Sequence, residues 1–123
     1  MRLLAIAAAL FATTGMSFAQ QSSIPYQTVA AAMSGLKAKP GVKFSSNDGW
    51  TIAEETGGVL WSFTPANHFA NPAVGRRSLH QQDGRFFVRT EILCQAQKAA
   101  CDRLKADYDL LDKRMMEAIN KGK

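Results

Sequence analysis

The two cysteines constrain this chain most. Cys94 and Cys101 are its only ones, with six residues between them. Seven residues along one unbroken helix separate two Cα atoms by about 10 Å, because each residue rises about 1.5 Å. A disulfide needs them within about 7 Å. If the pair is joined, Cys94 must therefore lie outside the helix that carries Cys101, at the end of a preceding strand. The spacing excludes the Cys-x-x-Cys redox arrangement. A structural staple is the expected role, ahead of a redox or metal role.

Whether the thiols oxidise depends on the compartment. Residues 1–19 have the three parts of a cleavable secretory signal: Arg2, the uncharged run Leu3 to Ala12, and Ser17-Phe18-Ala19 before a cut at Gln20. The apolar run is too short for a bilayer, which takes about 20 residues. No cysteine follows the cut to take a lipid, so no membrane anchor is expected. These features predict export to the periplasm or beyond the cell. Residues 20–24 then form a polar leader, and 25–123 a single disulfide-stapled domain. After cleavage, fourteen Lys and Arg stand against ten Asp and Glu, a net charge of +4. That mild excess favours anionic partners. The aromatic residues do not interleave with the basic ones as a nucleic-acid module requires, so no nucleic acid is expected.

Periodicity sets the elements. Ser23 can cap a first helix with Pro25 in its opening turn, and Tyr26, Val29, Met33 and Leu36 form its apolar stripe up to Pro40-Gly41. Val42 to Ser46 and Trp50 to Glu55 flank Asn47-Asp48-Gly49, a hairpin signal. Thr56-Gly57-Gly58 turns into Val59 to Thr64, and Pro65 to Pro72 is a loop. Val74 to Gln81 and Arg85 to Cys94 flank Gln82-Asp83-Gly84, a further hairpin. The last strand puts Phe86, Val88, Thr90, Ile92 and Cys94 on one face, and Phe87, Arg89, Glu91 and Leu93 on the other. Cys101, Leu104, Tyr108, Leu111, Met115 and Ala118 then predict the buried seam of a long helix. The expected fold is α+β: two layers, an antiparallel sheet of four to five strands in meander order, a long C-terminal helix across one face, and a short N-terminal helix at an edge or beside it.

The sequence carries no catalytic motif, neither a Gly-x-Ser-x-Gly turn nor a phosphate-cradling loop. Glu54 and Glu55, as neighbours on a strand, point to opposite faces and cannot share a substrate. Two isolated histidines, His68 and His80, lack metal-ligand spacing, so neither metal nor cofactor is expected. Two features could carry recognition. Arg76 and Arg77 on one strand and Arg85 and Arg89 on the next could seat an anion, with Arg76 and Arg89 meeting across the sheet near Glu91; the alternative is a solvated sheet face. Around the 65–72 loop gather Trp61, His68 and Phe69, forming either a recognition surface or, for Trp61 and Phe63, part of the core. The reading that follows is a small exported, non-enzymatic protein that binds another envelope or extracellular protein, as inhibitors, immunity proteins and accessory subunits do. An alternative is a binder of a small anionic ligand through the arginines. A third is a hydrolase without a recognisable motif.

Overall fold

Two tight turns organise the sheet. At Asp48-Gly49 and Asp83-Gly84 both residues have positive φ, 50° and 82° in the first and 53° and 76° in the second. Aspartate tolerates that region and glycine enters it freely, so each pair closes a two-residue hairpin whose twist matches its strands. A computed structural model describes residues 24–121. The signal segment 1–19, most of the polar leader and the Ser23 cap lie outside the described residues.

The chain runs α1 (Val29–Ala38), β1 (Lys43–Asn47), β2 (Trp50–Glu55), β3 (Val59–Phe63), β4 (Ala73–Gln82), β5 (Arg85–Cys94) and α2 (Lys98–Lys121). The strands form one antiparallel sheet in the order β1-β2-β3-β4-β5, an α+β meander. Among the described residues no helix is long and apolar enough to cross a membrane.

α1 begins later than Pro25, because Thr28 supplies the cap: its Oγ1 accepts from the Ala31 amide at 3.0 Å. Tyr26 precedes the helix and lies against Gly35, where an added Cβ would come within 2.7 Å of the phenol oxygen. It also meets Trp61 edge to face at 5.8 Å. Val29, Ala32 and Leu36 bury against Ala53, Trp61, Phe63 and Val74. Leu104 and Tyr108 of α2 bury with Ala70 and Ala73, and Ile92 and Cys94 pack beside them. Ala73 and Val74 are strand neighbours and so point to opposite faces. The two helices therefore cover opposite faces, and α1, expected at an edge of the sheet or beside it, adds a partial third layer on the face away from α2.

Cys94, the last residue of β5, and Cys101, in the first turns of α2, are joined with Cα atoms 5.8 Å apart. The joint is braced from both sides. The Gln95 amide donates to Pro72 O at 2.9 Å, and Gln95 Oε1 accepts from the Val29 amide at 2.9 Å. In the chain-entropy treatment, closing so short a loop contributes about 2.5 kcal/mol.

Glycine 75 decides where α2 sits. A Cβ there would fall 2.7 Å from Tyr108 Cζ and hydroxyl, so the phenol ring lies directly on the bare backbone of β4. From that contact the buried residues run Leu104, Tyr108, Asp112, in steps of four. Such a row slants across the helix surface, as suits a helix crossing twisted strands obliquely. The expected seam through Leu111 is corrected accordingly: Leu111 is 44% and Met115 37% exposed, whereas Asp112 is 6% exposed. Asp102, Lys105, Asp109 and Lys113 are exposed as their spacing predicts.

Candidate functional site

Because α2 lies along β4 and β5, the same face of β2 and β3 emerges beside it. Register places Trp50, Ile52, Ser62 and Leu60 on that face, since Ser62 pairs with Gly75 and Leu60 with Arg77. Between this half-sheet and α2 opens a cleft of about 210 Å³. Trp50, Leu104 and Leu111 form apolar walls, and Ser62, His68, Arg77, Asp107 and Tyr108 supply polar groups. A smaller hollow of about 160 Å³, lined by Leu60, Leu79, Val88, Met115 and Ile119, meets the first at Arg77.

The loop after β3 delivers His68. Thr64 anchors its start, donating its amide to Ala73 O at 3.0 Å while its Oγ1 accepts from the Ala73 amide at 3.1 Å. The His68 amide donates to Pro65 O and its carbonyl accepts from the Asn71 amide, both at 3.1 Å. His68 Nδ1 accepts from the Ala70 amide at 3.0 Å, so that nitrogen carries no proton and the neutral ring bears its hydrogen on Nε2. Burial pushes the ring pKa below its ordinary 6.5, against Asp107, which raises it, and together with Arg103, which lowers it. The ring meets Trp50 edge to face at 5.1 Å and stacks on Phe69 at 4.2 Å. Arg103 lies over the other side of this stack, 4.1 Å from the Phe69 ring centre.

The floor is a buried ion pair. Arg77 donates to Asp112 Oδ1 through Nε at 3.2 Å and Nη2 at 2.7 Å, and Thr90 Oγ1 donates to Asp112 Oδ2. This triangle ties β4, β5 and α2 together and sets the rotation of α2. Arg77 also lies 5.9 Å from the Tyr108 ring centre. Burial pushes the Tyr108 phenol up, partly offset by its hydrogen bond with Ser62 and by the Arg77 charge.

The remaining candidates lie elsewhere. Register sets Arg76 opposite Glu91 and Arg89 opposite Ser78, on the face away from α2. Arg76 therefore faces a carboxylate, with 3.8 Å between the charged atoms, and Arg77 lies on the far side of the sheet from both Arg76 and Arg89. Arg85 sits beyond them at the hairpin end, opposite Gln82. The four arginines do not form one cluster, because adjacent strand residues diverge by construction. Trp61 is 1% exposed, and its Nε1 donates to Glu55 Oε1 at 2.8 Å. It belongs to the core beneath α1 and to no surface. His80 stacks on Phe87 at 5.2 Å near the hairpin end. Of the singled-out residues, His68, Phe69 and Arg77 are brought to the α2 side.

Sequence reasoning missed Trp50, Ser62, Asp107 and the cleft-lining side of Tyr108 and Leu111. Alternation marks Trp50 and Ile52 as sharing a face, but nothing local tells which half of the sheet α2 leaves open. Within the cleft His68 Nδ1 is held by the Ala70 amide, and the Ser62 hydroxyl is hydrogen-bonded with Tyr108. Comparison with protein-family models, curated proteins and solved structures finds no match for this chain.

Proposed function

We propose that this is an exported, non-enzymatic protein that binds another envelope or extracellular protein through the α2 side of its sheet. The observation that carries the reading is the half-covered face. A preformed cleft with apolar walls, the exposed Leu111 among them, opens beside α2; the exposed Leu79 and Met115 line the hollow that meets it at Arg77, and the exposed Phe69 stacks on His68. Apolar exposure concentrated in one place on a small domain is characteristic of interaction surfaces. The disulfide and the cross-linked 64–72 loop stiffen this face, which lowers the entropy lost on association. Arg76 already faces Glu91 and Arg77 already faces Asp112, which supports a protein partner over a small anion held by the arginines. The signal-like residues 1–19 support export.

The test is capture of partners from envelope extract by tagged mature protein, with two charge variants alongside. Leu111→Lys with Met115→Lys should abolish capture, and Arg89→Glu should leave it intact. Capture should also persist as salt is raised, since apolar contacts are not screened. Loss with Arg89→Glu, retention with the lysine pair, and steep decay in salt would together overturn the reading in favour of anion binding.

A further inference from the structure

We infer that the cleft between Trp50 and α2 is a site for an organic cation, an ammonium group carrying apolar substituents. The inference rests on the partner-binding reading only for its location; its substance is the charge balance of the cleft. Arg77 enters as a neutral unit, because Asp112 accepts from both its Nε and its Nη2. His68 is neutral, its Nδ1 serving as acceptor to the Ala70 amide. The remaining formal charge among the lining residues is the carboxylate of Asp107.

Asp107 would ordinarily pair with Arg103, four residues earlier on the same helix face. That guanidinium lies instead over the Phe69 ring, at 4.1 Å. Among the described residues Asp107 takes part in no ion pair. The lining thus offers the Asp107 carboxylate beside the indole of Trp50, the side chain whose π face attracts cations best, while Arg103 is drawn onto the Phe69 ring outside the lining. Leu104 and Leu111 complete walls that suit alkyl groups. At about 210 Å³ the space exceeds the roughly 150 Å³ of a cavity that holds benzene, so a choline-sized or aminobutyl group fits. An anion would meet Asp107 and find Arg77 already occupied by Asp112, with Arg103 drawn onto the Phe69 ring outside the lining. The cation could come from a free amine or from a lysine side chain of a protein partner; the chemistry recognised is the same.

The mature protein titrated with choline, with N-acetyl-lysine methylamide, with the neutral isostere 3,3-dimethylbutanol and with the anion 3,3-dimethylbutanoate tests this. Trp61 is buried and Trp50 half-buried, so intrinsic fluorescence reports the cleft, and amide NMR shifts at Ser62 and Asp107 locate the site. At least one cation should bind in the millimolar range, about tenfold more tightly than the neutral isostere. Asp107→Asn should erase that preference without moving the melting temperature, since the side chain is exposed. Stronger binding of choline identifies a free amine as the natural ligand, and stronger binding of the lysine amide identifies a partner side chain. Equal affinity for the neutral isostere, tighter binding of the anion, an unchanged preference in Asp107→Asn, or no saturation by about 100 mM would each overturn the inference. If partner capture survives Asp107→Asn but not Leu111→Lys with Met115→Lys, the partner reading stands and a partner lysine as the source of the cation is overturned.

Discussion

Removing Asp112 should destabilise the protein more than its position on a mostly charged helix implies. Its carboxylate is buried and accepts from Arg77 Nε, Arg77 Nη2 and the Thr90 hydroxyl. The side chains of Arg77 and Asp112 are 12% and 9% exposed, so little water screens the pair. Asp112→Ala would strand a guanidinium in that setting along with an unsatisfied hydroxyl, a loss of about 3–5 kcal/mol. A domain of this size has a total stability of about 5–15 kcal/mol, so the loss is a large fraction of it. Replacing both partners tells a different story. Arg77→Met with Asp112→Leu removes the desolvation cost together with the attraction, and should land within about 2 kcal/mol of the parent, the remaining cost being the Thr90 hydroxyl left without its acceptor. Urea denaturation followed by far-UV circular dichroism, run on the parent, both single variants and the pair, yields the coupling energy. A single-variant loss below about 1 kcal/mol, or a double variant as unstable as the two singles summed, would refute the reasoning. The first outcome would mean that water reaches the pair; the second, that the triangle with Thr90 matters through shape rather than charge.

Two further predictions follow from the rotation of α2 and from the loop. Leu104→Ala should cost about 2–5 kcal/mol because the side chain is fully enclosed, while Leu111→Ala should cost under about 1 because nearly half of it is exposed; chemical denaturation giving equal losses would mean that the slant of the contact row is wrong. His68 has a folded pKa below the ordinary 6.5, so the unfolded chain binds more protons as pH falls through that value. Its contribution is fully present above about pH 6.5 and declines below it. Melting temperatures between about pH 7.5 and 5 should fall more steeply for the parent than for His68→Gln, and superimposable curves would contradict the assignment.

What the sequence by itself determined is local in origin. Strand alternation placed Val88 and Cys94 opposite Arg89 and Glu91, because successive Cβ atoms point to opposite faces whatever lies beyond them. Asp48-Gly49 and Asp83-Gly84 announced hairpins through the φ values those residues tolerate. Once the pair was taken as joined, the rise of a helix put Cys94 outside the helix that carries Cys101, and strand alternation put it at the end of β5. Tertiary structure decided the rest, since each remaining question concerned one element's position on another. The turn of α2 toward Asp112 and away from Leu111 depends on Tyr108 finding the bare backbone of Gly75 and on Arg77 and Thr90 waiting one turn further along. The burial of Trp61 and the half-exposure of Trp50 follow from α1 covering one face fully at its centre while α2 covers the other only over β4 and β5. The separation of Arg76 from Arg77 could be read from alternation, but the partner each one meets could not. Glu91 comes from β5 and Asp112 from α2, 35 residues along the chain from Arg77, and no pattern within a single element records a contact of that range.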